Sequence, residues 1–299
     1  MFEEAYFQND EAAREHIESI LWPEGPVCPH CGCTGRITKL QGKTTRPGTY
    51  KCNDCRQPFT VTVGTIFHGS HVKLHIWLQA YYLMCASKKG ISAHQLHRML
   101  KVTYKTAWFM EHRIRESMHD EIPSILGGDG QTVEVDETYW GNVPGMPKRH
   151  AWHHKEKIVS LVERDGSARS FHVERVNHAT LKPMLREHIA RESRIVTDNA
   201  NVYDWTGHEF AGHESVNHLV HEYARGDVTT NTVEGFFSIL KRGLIGTYHH
   251  VGRQHLGRYL HEFDFRYNHR SATDAERTVA AIQGILGKRL LYRDSPLVV

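Results

Sequence analysis

Three carboxylates in the second half of the chain and four cysteines in the first are the residues whose types and spacing can do chemistry. Asp136 lies near the middle of an apolar strand that includes Val133-Glu134-Val135-Asp136, Asp198 closes Ile195-Val196-Thr197-Asp198, and Glu234 sits among Val233, Phe236, Phe237, Ile239 and Leu240. Carboxylates in such surroundings are unfavourable unless a metal ion or hydrogen bonds compensate them. Three of them converging can hold two hard cations, Mg²⁺ or Mn²⁺. One ion activates a water or a 3′-hydroxyl and the other stabilises the leaving oxygen when a phosphodiester is cut in line. Taken singly, Asp136 also reads as a structural hydrogen-bonder, Asp198 as a helix cap and Glu234 as a solvated helix residue; jointly these readings need three coincidences. Asn231, one turn before Glu234, can donate to DNA or take a ligand position itself, and Lys241, two turns beyond, can hold a phosphate. Of the neighbouring acids, Glu134 shares the face of Asp136 if the strand has no bulge, and Glu137 faces the other way.

The cysteines form two knuckles, Cys28-Pro-His-Cys31 and Cys52-Asn-Asp-Cys55, separated by 20 residues and surrounded by Gly32, Gly35, Gly42 and Gly48. Each knuckle presents two thiolates to one ion. Four sulfurs suit tetrahedral Zn²⁺, whose binding supplies folding free energy to a segment too small for a core of its own. His30 and Cys33 compete as ligands only by breaking the symmetric spacing. Cys85, inside Tyr81-Tyr82-Leu83-Met84-Cys85, reads as a packed core residue.

These residues need elements to position them, and 299 residues suffice for one large domain and small accessory modules. A short helix is expected over 11–21, ended by Trp22-Pro23-Glu24-Gly25-Pro26. Apolar spacing predicts three helices between Lys73 and Met118. The last two, a capped helix after Ser92 and a longer one from Tyr104 joined at Val102-Thr103, read as a helix-turn-helix, with Lys101, Lys105, His112, Arg113 and Arg115 available to phosphates or base edges. A boundary is placed near residue 125, before Gly127-Gly128-Asp129-Gly130. Beyond it come strands at 133–136, 157–163 and 168–174, the middle and last joined at Asp165-Gly166. A helix over 178–190, a strand over 194–197 and helices near 231–244 and 253–267 follow, an α/β pattern. Three blocks result: 1–70 with the cysteines, 71–125 with the helix-turn-helix and 126–299 with the acids.

Net charge is only +3, but from Arg36 to Arg113 thirteen Lys or Arg face two acids, Asp54 and Glu111. Such a stretch carries a field suited to phosphate backbones. No run of 18 apolar residues exists, and the acidic start is unlike a signal peptide, so no membrane partner and a cytosolic location are expected. Reduced thiols in that compartment favour metal over disulfides.

Val-Asp136-Glu-Thr-Tyr-Trp-Gly, Val-Thr-Asp198-Asn-Ala, Thr-Asn231-Thr-Val-Glu234-Gly-Phe-Phe-Ser-Ile-Leu-Lys241-Arg-Gly and Gly246-Thr-Tyr-His-His-Val resemble the DDE transposases of bacterial insertion sequences, in the branch with an N-terminal zinc ribbon. Tyr-Leu-His-Glu262-Phe-Asp-Phe-Arg-Tyr-Asn268 resembles that branch's C-terminal helix. The resemblance runs from the first CxxC to about Arg270. It implies a ribonuclease-H-like catalytic domain, binding of terminal inverted repeats and target DNA, hydrolytic nicking, strand transfer by the freed 3′-hydroxyl, and a homo-oligomer when two ends are brought together. It also leaves both Asn231 and Glu234 as candidates for the third acid position, Glu234 favoured because carboxylate binds Mg²⁺ better and Lys241 follows at the interval typical of the family. His249-His250 resembles a family motif; Tyr139 and Trp140 are candidates for stacking on a base, although aromatics beside a strand are more often core. Two rival readings are a DNA-binding transcriptional regulator and a nuclease of the same fold without strand transfer.

Overall fold

Asn9 opens the first helix of the computed structural model, its side chain accepting from the N–H groups of Glu11 and Ala12 at 2.8 and 3.1 Å. The structure describes residues 2–141, 154–198, 200–217, 222 and 224–291. Among the described residues the chain divides into two compact units, one formed by residues up to 119 together with 271–291, the other by residues 120–270.

In the first unit, α1 (Asp10–Leu21) buries Ala13, Ile17 and Leu21 at helical spacing. Strands β1 (Ile37–Lys39), β2 (Tyr50–Cys52) and β3 (Pro58–Phe59) form a small antiparallel sheet in that order. The helix α2 (Leu74–Ala86) buries Trp77, Leu78, Tyr81, Met84 and Cys85, so Cys85 is a core residue as its surroundings indicate. Next come α3 (Ala93–Leu100), capped by Ser92 onto the Gln95 N–H, and α4 (Tyr104–Ser117), capped by Thr103 onto the Thr106 N–H. Lys101 turns the chain between them with a left-handed φ of 54°.

Here the structure corrects the expected basic face of α4. Lys101 and Lys105 are exposed, but His112, Arg113 and Arg115 are buried. Arg113 donates to the carbonyls of Ile66, His68 and Leu290 at 2.6, 3.3 and 3.2 Å, and Arg115 pairs with Glu111 at 3.2 Å. All residues from 110 to 115 are buried, because the second half of α4 runs through the middle of its unit and leaves no outward face.

The second unit is built on a five-stranded sheet. Its strands are β4 (Thr132–Trp140), β5 (Glu156–Glu163), β6 (Ala168–Val173), β7 (Arg194–Asp198) and β8 (Gly212–Val216), in the order β6-β5-β4-β7-β8. The first three pair antiparallel; β7 runs parallel to β4, and β8 parallel to β7. Asp165 makes the β5–β6 turn with φ 58°. The crossover to β7 passes through α5 (His178–His188), whose Leu181 and Leu185 pack with Val133, Val135, Val159 and Leu161 on one side of the sheet. A short hairpin, β9 (Ala224–Arg225) and β10 (Val228–Thr229), leads into α6 (Asn231–Gly243). With α7 (Leu256–Asn268), α6 covers the other side: Val233, Phe236, Leu240, Leu260 and Phe263 meet Ile158 and Val162. The architecture is thus mixed α/β, with a helical layer on both faces of the sheet.

Residues after 270 depart from the expected single block 126–299. The helix α8 (Asp274–Gln283) belongs to the first unit, where Ala281, Ile282 and Ile285 are buried and Arg277 donates to the Cys85 carbonyl at 2.7 Å. Among the described residues no helix is long and apolar enough to cross a membrane.

Candidate metal centres

Parallel pairing of β4 with β7 runs in register to Val135 opposite Thr197, so the next residues, Asp136 in the middle of β4 and Asp198 at the end of β7, stand side by side just past the paired segment. Oxygens of Asp136, Asp198 and Glu137 all lie within 4.8 Å of one another. Glu137 belongs to this group although it faces the other way, as expected. Strand alternation does hold, since Glu137 lies opposite Val159 on the α5 side and accepts from the buried Tyr203 hydroxyl at 2.9 Å. Past the last β4–β7 pair, however, β4 is paired on its β5 side but not with β7, and on that open side the Glu137 carboxylate reaches the other two acids. The adjacency of Asp136 and Glu137 was the signal of this in the sequence.

The site is strongly negative. Burial, then the charges of Glu137 and Asp198, push the Asp136 carboxyl up to about 8, although the Glu137 N–H donates to it at 2.7 Å. Glu234 also raises it, which places that charge within electrostatic reach of Asp136. Burial and Asp198 push Glu137 up as well. A cluster that holds its protons this tightly fits a divalent cation, which removes the repulsion and is bound through carboxylate oxygens.

Glu234 stands in the first turn of α6, exposed, accepting from the Thr230 hydroxyl at 2.8 Å. It lies outside the group of oxygens within 4.8 Å. Asn231 and Lys241 are exposed on the same helix. His249 and His250 are exposed, His249 with φ 57° just after the π-helical turn Leu244–Tyr248. Trp140 packs partly against the α6–α7 core, whereas Tyr139 is half-buried. Asn199, next to Asp198 in its motif, lies outside the described residues.

In the first unit the Sγ atoms of Cys28, Cys31, Cys52 and Cys55 lie within 4.8 Å of one another, with Cys28–Cys55 and Cys31–Cys52 both at 3.6 Å. A tetrahedron with bonds of about 2.3 Å has edges of about 3.8 Å, so the four sulfurs fit one Zn²⁺. The backbone N–H groups of Cys55 and Asp54 lower the Cys52 thiol to about 6, whereas burial and the neighbouring sulfurs push Cys31 and Cys55 up, a repulsion among thiolates that a bound cation would relieve. Cys33, Cys52 and Asp54 form a second close group, but it shares Cys52 and offers only three ligands. Beneath the knuckles Tyr50 and Phe59 stack at 5.8 Å, the small core that zinc completes.

Comparison with known proteins agrees with both centres. Residues 125–268 match the family model described as an ISXO2-like transposase domain, and residues 8–58 match the one described as a transposase zinc-ribbon domain. The chain is 27% identical over 283 residues to an "Uncharacterized protein in transposable element ISH50" of Halobacterium salinarum, covering 87% of this chain and 91% of the relative. It is 30% identical over 96 residues to an "Uncharacterized transposase-like protein" of Haemophilus influenzae, covering 32% of this chain and 76% of that relative. This chain therefore belongs to the insertion-sequence transposases that join a DDE transposase domain to an N-terminal zinc ribbon.

Proposed function

We propose that the chain binds the terminal inverted repeats of an insertion sequence, nicks them and joins the freed 3′ ends to target DNA. The observation that carries the reading is the juxtaposition of Asp136, in the middle of β4, and Asp198, at the end of the parallel β7, just past the last residues the two strands pair, with Glu234 adding to the repulsion that raises Asp136. In this reading Asp136, Asp198 and Glu234 hold two Mg²⁺ or Mn²⁺ ions. Bound there, the ions would supply the activation of the attacking hydroxyl and the neutralisation of charge on the leaving oxygen. Asn231 and Lys241, exposed along α6, contact the DNA backbone; Asn231 is the alternative third ligand. Three antiparallel strands followed by two parallel ones, with a helical crossover before the second acid, support a ribonuclease-H-like assignment for the second unit. Helices α3 and α4 act as a helix-turn-helix through their exposed residues Arg98, Lys101, Tyr104 and Lys105, beside the basic zinc ribbon. Two chains act together when two ends are synapsed, and the protein works in the bacterial cytosol on nucleoid DNA.

The test is incubation of wild type and Asp198→Ala with labelled terminal-repeat DNA and Mg²⁺, scoring nicked and joined products. Both products from wild type and neither from the variant support the proposal. Nicking without joining leaves a nuclease, and binding without cleavage favours a regulator.

A further inference from the structure

Helix α6 is capped only in part by its own segment. Its N-cap residue Thr230 makes no side-chain bond to the first-turn N–H groups and turns its hydroxyl to Glu234 instead. The Asn231 N–H goes to the Thr229 hydroxyl at 2.9 Å, and the next two orphan donors go to an acid from another element. Glu134, 1% exposed at its side chain, accepts through Oε2 from the Thr232 N–H at 2.8 Å and the Val233 N–H at 2.9 Å. Its Oε1 accepts from the Thr232 hydroxyl at 2.9 Å and from Arg164 Nε at 2.8 Å. Arg164 in turn donates through Nη2 to the carbonyl of Thr229, just before the helix, at 2.9 Å.

Glu134 thereby bridges the two halves of the acidic site. On β4 it lies two residues before Asp136, on the same face, because the register places them opposite Val162 and Ser160. On α6 it holds the two residues that immediately precede Glu234. A carboxylate has about four lone-pair sites, and all four of these are taken, so Glu134 is not itself free to bind an ion. A local cap would stabilise the helix just as well while leaving it free to slide over the sheet; a cap from the strand fixes one to the other.

We propose that Glu134, held by Arg164, is a positioning residue that fixes the first turn of α6, and with it Glu234, against the strand that carries Asp136, so that both acids would be available to one divalent ion. This rests on the reading of Glu234 as the third metal ligand. The test measures Mn²⁺ binding to the full-length, zinc-loaded chain without DNA, from the electron paramagnetic resonance of free Mn²⁺, with folding checked by circular dichroism. Glu134→Gln places an amide against Arg164 and the Thr232 hydroxyl, and is expected to weaken Mn²⁺ binding about ten-fold, as loss of a residue supporting a metal ligand does. Glu234→Gln should weaken it at least as much, and the double variant no more than Glu234→Gln alone. Thr232→Val, which removes one hydroxyl from the clamp, should weaken it roughly three-fold and carries the test if Glu134→Gln fails to fold. A folded Glu134→Gln or Thr232→Val chain with wild-type affinity overturns the proposal, as does an additive double variant. Unchanged affinity in Glu234→Gln, with Asp136→Asn deficient, refutes instead the assignment of Glu234 as ligand.

Discussion

Asp136→Asn should make the metal-free protein more stable while destroying its metal site. Asparagine keeps the carbonyl oxygen that accepts from the Glu137 N–H at 2.7 Å and turns an N–H₂ group toward neighbouring acids. The Asp136 carboxyl is raised from its ordinary 3.8 to about 8 by burial and by Glu137 and Asp198, so the folded chain holds a proton that the unfolded chain releases. The stability that protonated Asp136 contributes is therefore fully present below about pH 4 and is lost as pH rises toward 8. Each pH unit in that window takes about 1.4 kcal/mol, a ceiling of ~4 kcal/mol at pH 7 and less than half of that at pH 5. Relaxation of the site and bound counter-ions lower this, and a gain of about 1–2 kcal/mol at pH 7 is expected, roughly 4 °C for a unit of this size. Thermal unfolding in EDTA at pH 5 and pH 7, then with Mg²⁺ at pH 7, reads all three consequences. The variant should gain more at pH 7 than at pH 5, and Mg²⁺ should raise the melting temperature of wild type alone. A variant less stable than wild type in EDTA at pH 7, or one equally stabilised by Mg²⁺, would refute the repulsion on which the assignment of the acidic site rests.

Arg113→Ala should destabilise the first unit by about 3 kcal/mol, because three buried carbonyls lose their donor; urea unfolding measures it. Lys105→Ala should leave stability unchanged and reduce the slope of log affinity against log salt by about 1 in DNA-binding titrations. Cys52→Ser, or stripping zinc with a chelator, should unfold the ribbon and weaken DNA binding while the second unit keeps its circular dichroism; metal analysis should find one zinc per wild-type chain and none in the variant. Gly284→Ala brings a Cβ to 2.1 Å from the Ser117 carbonyl oxygen, a backbone atom that cannot swing away, and should lower the free energy of unfolding, measured in urea, by more than about 1 kcal/mol.

What the sequence determined by itself is whatever local pattern and spacing encode. The CxxC knuckles foretell four clustered sulfurs, because two residues between cysteines suit one tetrahedral ion whatever lies around them. Apolar spacing located α2, α3 and α4, and the apolar runs around Asp136 and before Asp198 foretold two strands, one with its acid near the middle and one with its acid at the end. Tertiary structure decided what those elements face. A basic residue reads as solvent-facing until the neighbours of its helix are known, which is why Arg113 and Arg115 were legible as charges but not as buried donors. The short strands β8 to β10 and the helix α8 left too little periodicity to be seen, and α8 is held in the first unit by contacts such as Arg277 with Cys85, 192 residues away. Glu137 joined Asp198, and Glu134 capped α6 from 98 residues away, because strand register and helix docking are long-range events that no window of sequence contains.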